Sequence, residues 1–191
     1  MKLKLCILAA LLMIAISGCG LVSGTAFVSQ EVDGTISVDT TPASLRGGDG
    51  ALDTPQMEGV VVDLTENGDW SDFTIEGVED GCINMTAENH LNTPVSGEIW
   101  IVMDLDFDPM DNPDAVRNNP NAFKVFEGIA LGPNETRHFL CSETITLLQN
   151  TDRLVEAIQA GEFQAYGLGN EDLYCFTLTG IIFGFHVTGS L

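Results

Sequence analysis

The chain has 191 residues, of which 45% are hydrophobic and 18% charged, with 28 acidic against seven basic side chains and a net charge of −21. A surface of that sign repels phosphate, which excludes nucleic-acid binding, and it offers no basic patch to hold anionic headgroups. The length suits one domain and a tether, and the acids are scattered from Glu31 to Asp172 as a coat rather than a tail.

The chain opens with Lys2 and Lys4 and then runs apolar from Leu5 to Ile16. A span of roughly 18 or more residues is needed to cross a bilayer, so this run is too short. A charged start, a short apolar middle and a small-residue exit are the parts of a secretory signal. The exit, Ile16-Ser17-Gly18-Cys19, resembles the lipobox of bacterial lipoproteins. The resemblance implies that residues 1–18 are removed and that Cys19 becomes a lipidated first residue. The partner it implies is the lipid bilayer, reached through acyl chains that contribute about 0.8 kcal/mol per buried CH₂. Gly20 stands where some Gram-negative lipoproteins carry an inner-membrane aspartate, which favours the outer membrane in such a cell.

Residues 19–56 are rich in Gly, Ser, Thr, Asp and Pro, and predict a flexible spacer. Phe27 to Val38 is apolar enough to add one edge strand. From Met57 short β-like runs are separated by turn residues. Gly59–Leu64 is β-branched. Phe73, Ile75 and Val78 precede a turn at Asp80-Gly81. From Cys82 to Asn89, Ile83, Met85 and Ala87 alternate with Asn84, Thr86 and Glu88, the period of a half-buried strand. From Val95 to Phe107, the residues Ile99, Ile101, Met103, Leu105 and Phe107 share one predicted core face. Residues 108–121 form a polar loop. Phe123–Leu131 and Thr136–Cys141 flank Gly132-Pro133-Asn134-Glu135, which predicts a hairpin. One helix is expected near 151–160, capped by Asn150 or Thr151 and stopped by Gly161, with Leu154 and Ile158 as its buried stripe. Phe163–Leu168 and Cys175–Val187 are the last strands; in the second, Ile181, Phe183, Phe185 and Val187 alternate.

These elements predict a mainly β fold: an antiparallel two-sheet sandwich of about seven or eight strands with one short helix, over residues 57–191. The stretch Cys82 to Pro94, an alternating strand ending in Asn89-His90-Leu91-Asn92-Thr93-Pro94, resembles the immunoglobulin-like sandwiches of the late-embryogenesis-abundant type. That resemblance implies a non-enzymatic body and carries no catalytic residues.

Among chemical motifs, Asp104-Leu105-Asp106-Phe107-Asp108 stands out. On one strand, Asp104, Asp106 and Asp108 would project about 7 Å apart from the same face and could partly ligate calcium, a hard cation needing 6–8 oxygens. The competing reading is the wet side of a strand. An EF-hand loop fails here, because Pro109 and Ala115 stand where glycine and glutamate are required. His90, His138 and His186 lack the paired spacing of a zinc site. Cys82, Cys141 and Cys175 remain in an exported body, so one disulfide among them is expected, with three pairings open. No nucleophile elbow or phosphate loop is present. The functional expectation is a membrane-anchored cell-envelope lipoprotein, non-enzymatic, binding an envelope protein or polysaccharide. A calcium-dependent adhesion module is the alternative, and a hydrolase with an unrecognised site the second alternative.

Overall fold

A computed structural model describes residues 23–42, 57–65 and 74–190. They form two antiparallel sheets, one of six strands and one of four. The strands are β1 (Ser23–Glu31), β2 (Ile36–Asp39), β3 (Met57–Glu58), β4 (Val60–Asp63), β5 (Thr74–Asn89), β6 (Val95–Val102), β7 (Ala122–Leu131), β8 (Thr136–Phe139), β9 (Glu162–Gly169) and β10 (Cys175–Ser190). The helices are α1 (Pro113–Arg117), α2 (Cys141–Thr144) and α3 (Thr151–Ala160).

The larger sheet is built around two strands of 16 residues each, β5 and β10. Their odd-numbered apolar residues turn inward: Ile83 and Ala87 on β5, and Ile181, Phe183 and Val187 on β10, are all 0% exposed. On the far side of β10, β1 pairs from Ser23↔Ser190 to Glu31↔Ile182. β2 continues along the same edge from Ile36↔Leu178 to Asp39↔Cys175. Together β1 and β2 act as one interrupted strand along the whole of β10. The stretch expected to be a spacer with at most one edge strand therefore contributes two strands to the sheet. The reason lies in side chains: Val28, Val32, Ile36 and Val38 are all buried, and their burial outweighs the turn-forming composition around them.

The smaller sheet runs β4-β9-β6-β7. Its inner residues, Ile99 and Ile101 on β6 and Phe163 and Ala165 on β9, meet the larger sheet, and Phe163 packs edge-on against Phe183 with centroids 6.1 Å apart. The helix α3 covers one end of the sandwich against β5, β7 and β9, burying Leu154, Ala157 and Ile158. Gly161 ends it in the left-handed conformation, φ 84°. Asn150 occupies the N-cap position without a side-chain cap; its amide donates instead to the carbonyl of Lys124 at 2.7 Å.

Four sequence expectations change. The strand expected to reach Phe107 ends at Val102, and Leu105, expected in the core, is exposed. Asp80-Gly81 is no turn: β5 passes straight through it with a bulge opposite His186 and Val187. Gly81 is needed there because a Cβ would lie 2.9 Å from the Phe185 ring. Gly132–Glu135 joins no hairpin, since β7 pairs with β6 and β8 pairs with β5; the turn carries the chain from one sheet to the other. Finally, α3 is not the sole helix. Asn112 caps α1, accepting from the Asp114 amide at 3.0 Å, with Pro113 in the first turn.

The disulfide joins Cys82 to Cys141, with Cα atoms 4.9 Å apart, and Cys175 is buried. The bridge pins α2 to β5. Beside it the hydroxyl of Thr144 accepts from the Ile83 amide and donates to the Ile83 carbonyl, both at 2.9 Å. A buried side chain thus continues the ladder where β8 stops.

Candidate functional site

The loops at one end of the sandwich enclose an open groove of about 480 Å³. Its walls are the β5–β6 connection (Leu91, Asn92, Thr93, Pro94), the β9–β10 connection (Glu171, Asp172, Leu173) and Thr41 after β2. Apolar Leu91, Pro94 and Leu173 alternate with amide, hydroxyl and carboxylate groups. Such a mixture can cover an uncharged surface while hydrogen-bonding its edges. Among the described residues its only charges are carboxylates, which disfavour anionic ligands.

Each wall is held from behind. Asn89, 1% exposed, donates from Nδ2 to the carbonyls of Thr93 (2.7 Å) and Gly132 (2.8 Å), and its Oδ1 accepts from the Leu91 amide at 3.0 Å. One side chain therefore shapes the β5–β6 loop and ties it to the turn between the sheets. The Asn134 amide adds a bond to the Leu91 carbonyl at 2.8 Å. On the opposite wall, both carboxylate oxygens of Glu171 accept from the Ser96 amide, at 2.9 and 3.1 Å. Thr40 and Tyr174 exchange three further bonds, linking the end of β2 to the start of β10.

Tyr174 lies against Gly169, where a Cβ would sit 2.5 Å from the ring, and it stacks on Phe176. The Gly169 carbonyl accepts from Arg117 Nη2 at 2.5 Å. Arg117 also pairs with Glu98 at 3.4 Å, and Lys124 approaches the other oxygen of Glu98 at 3.2 Å. Glu98 is 4% exposed. This cluster braces the base of the β9–β10 loop. Burial is the main influence on the Tyr174 phenol and raises it; Arg117 opposes that shift. Burial pulls Lys124 down, but its bonds to Glu127 and Glu98 prevail and hold the ammonium above the usual lysine range.

The three aspartates lie elsewhere. After Val102 the chain leaves the sheet and folds over the outer side of β9. Gln164 fastens it there, donating to the carbonyls of Asp104, Leu105 and Phe107 at 3.1, 2.6 and 3.2 Å. The Tyr166 hydroxyl, beneath the same segment, is pushed up to about 12 by burial and by the charge of Asp108. Asp104 accepts from the Asp106 amide and Asp108 from the Met110 amide. Two of the carboxylates thus close their own local turns. Asp104, Asp106 and Asp108 do not share a strand face, which corrects the geometry on which calcium ligation was argued. Among the described residues, no group of three or more His, Cys, Asp or Glu side chains gathers as a set of metal ligands.

The histidines are separate. His90 meets Thr177 at 3.1 Å, His138 meets Thr86 at 2.8 Å, and His186 makes a short hydrogen bond with Asp80. Trp100 is half-buried and packs against the core. Cys19 and the signal segment lie outside the described residues. Sequence reasoning missed Glu98, Arg117 and the Glu171–Leu173 wall. An acid inside the apolar run Val95–Val102 was the available signal for the first.

No family model matches the chain, and neither a curated protein nor a solved structure does.

Proposed function

We propose that this chain is a lipid-anchored cell-envelope protein whose sandwich is a non-enzymatic binding module. The observation that carries the anchoring is the run Leu5–Ile16 followed by Ile16-Ser17-Gly18-Cys19. The groove between the β5–β6 and β9–β10 loops supports the binding role. Its mixed apolar and hydrogen-bonding lining suits a neutral or cationic envelope ligand, such as a polysaccharide or a basic protein surface. The acidic coat makes acyl chains, rather than headgroup attraction, the natural means of attachment.

The test is expression of the full chain in a bacterium with radiolabelled palmitate. The expected result is a labelled membrane-bound product whose label and membrane retention are both lost in Cys19→Ser. An intact mass showing an unmodified Cys19, or retention unchanged in the variant, would overturn the anchoring. For the groove, Asn92→Trp and Leu173→Asp are expected to abolish retention of the protein on purified cell-wall polysaccharide or envelope extract. Unchanged retention refutes the groove as the binding surface.

A further inference from the structure

We infer that the sandwich stands end-on over the bilayer, with the loop groove at the end farthest from the lipid. The inference rests on lipidation at Cys19 and deepens the binding reading above. Only Gly20, Leu21 and Val22 separate Cys19 from Ser23, the first residue of β1. Even fully extended, that leash covers no more than about 14 Å. The anchor therefore reaches the fold directly and fixes which end lies near the membrane.

Strand register identifies that end. Ser23 pairs with Ser190, and Ser190 pairs with Thr74, so the start of β1, the start of β5 and the end of β10 lie together. Gln159, at the end of α3, joins them through a bond to the Ile75 carbonyl at 2.6 Å. The groove lies at the other end of the same strands: Asn89 pairs with Phe176, and Asp39 with Cys175. β10 connects the two ends with 16 residues, which at about 3.3 Å each is roughly 50 Å.

Charge then decides between standing and lying. Asp106, Asp108 and Asp114 are exposed on the outer side of the smaller sheet, and Glu31 and Glu88 on the outer side of the larger one. Laying either broad side on anionic headgroups brings its row of carboxylates within a Debye length of about 8 Å. Standing end-on brings the exposed Glu76 and Glu79 at the start of β5 toward the headgroups, but keeps Glu88 and Asp114, which lie toward the groove, in solution. The groove is thereby offered to a ligand approaching from the aqueous side.

Neutron reflectometry of the full lipidated chain on a supported bilayer containing anionic lipid tests the posture. The expected protein layer is about 50 Å deep. A layer of about 25 Å, the depth of two sheets lying flat with their side chains, overturns the inference. Energy transfer to a headgroup dye then identifies the ends, using fluorophores attached in separate variants at Thr25→Cys and Asn92→Cys, both exposed positions. Strong transfer from position 25 and weak transfer from 92 is expected; equal or reversed transfer overturns the inference. Cys19→Ser separates the two readings. If that variant forms the same layer, or if the natural chain forms none, the lipid anchor itself is refuted; a lipidated chain lying flat refutes only the posture.

Discussion

The link between Cys82 and Cys141 offers the sharpest stability test. Its cysteines are 59 positions apart, and closing a loop of that size removes unfolded-state entropy equivalent to about 4 kcal/mol at 25 °C. For a domain of this size 1 kcal/mol moves the melting temperature by about 2–4 °C, so C82A/C141A is expected to melt about 8–16 °C lower. The bridge also holds α2 against β5, where Thr144 completes the ladder at Ile83, so the loss should not fall below the entropic figure. The assay is thermal unfolding followed by Trp fluorescence, with peptide mapping of the oxidised chain. A double variant with the natural midpoint refutes the reasoning, as does mapping that places Cys175 in the bridge.

Four further outcomes are expected. Asn89→Ala strands the carbonyls of Thr93 and Gly132 and should cost about 2–3 kcal/mol, with faster hydrogen exchange in residues 90–94; unchanged exchange there removes Asn89 as organiser of the groove. Glu98→Ala leaves Arg117 and Lys124 facing each other without their shared carboxylate. Because both cations are partly exposed, a loss of about 2 kcal/mol by urea titration is expected rather than the full cost of a broken buried pair, and no loss would show the pairs to be idle. Glu127 is held below the usual carboxylate range by its bonds to Lys124 and Gln149, and Glu143 by the Leu140 amide and Arg137. Their folded-state values lie below the unfolded 4.5, so their stabilisation is complete above about pH 4.5 and is lost as the pH falls through the folded values. The E127Q/E143Q variant should accordingly flatten the acid limb of a stability–pH profile, and an unaltered limb would count against both pairs. At Gly59 a Cβ would meet the Tyr166 ring at 2.5 Å and the Ala165 carbonyl at 2.8 Å. Gly59→Ala should lower the melting temperature, whereas a Gly24→Ala control, with open space around it, should not.

The sandwich was legible in the sequence where period and burial agree. Ile83, Met85 and Ala87, and Ile181, Phe183, Phe185 and Val187, alternate in the chain and point inward in the fold. The helix at Thr151–Ala160 followed from its stripe and from Gly161. Legibility failed where a long-range partner overrides a local signal. Met103, Leu105 and Phe107 keep the strand period, yet Gln164 draws that segment over the sheet by its carbonyls. Gly132–Glu135 has hairpin composition, but its bonds to Asn89 and Leu91 send it across the sandwich. The groove was hidden for the same reason. Asn92 and Asp172 look like ordinary turn residues, and only the antiparallel pairings of β5 with β10 and of β6 with β9 set their loops side by side.

The place of β10 in the chain has a consequence for biogenesis. It is the shared neighbour of β1, β2 and β5, and it ends at Ser190. Every other described strand is therefore made before the larger sheet can close, and those strands wait with open edges. Until β10 arrives, the unpaired strands of the nascent chain can add to one another or to another chain, and a holding chaperone that covers their edges would raise the yield of the native sheet.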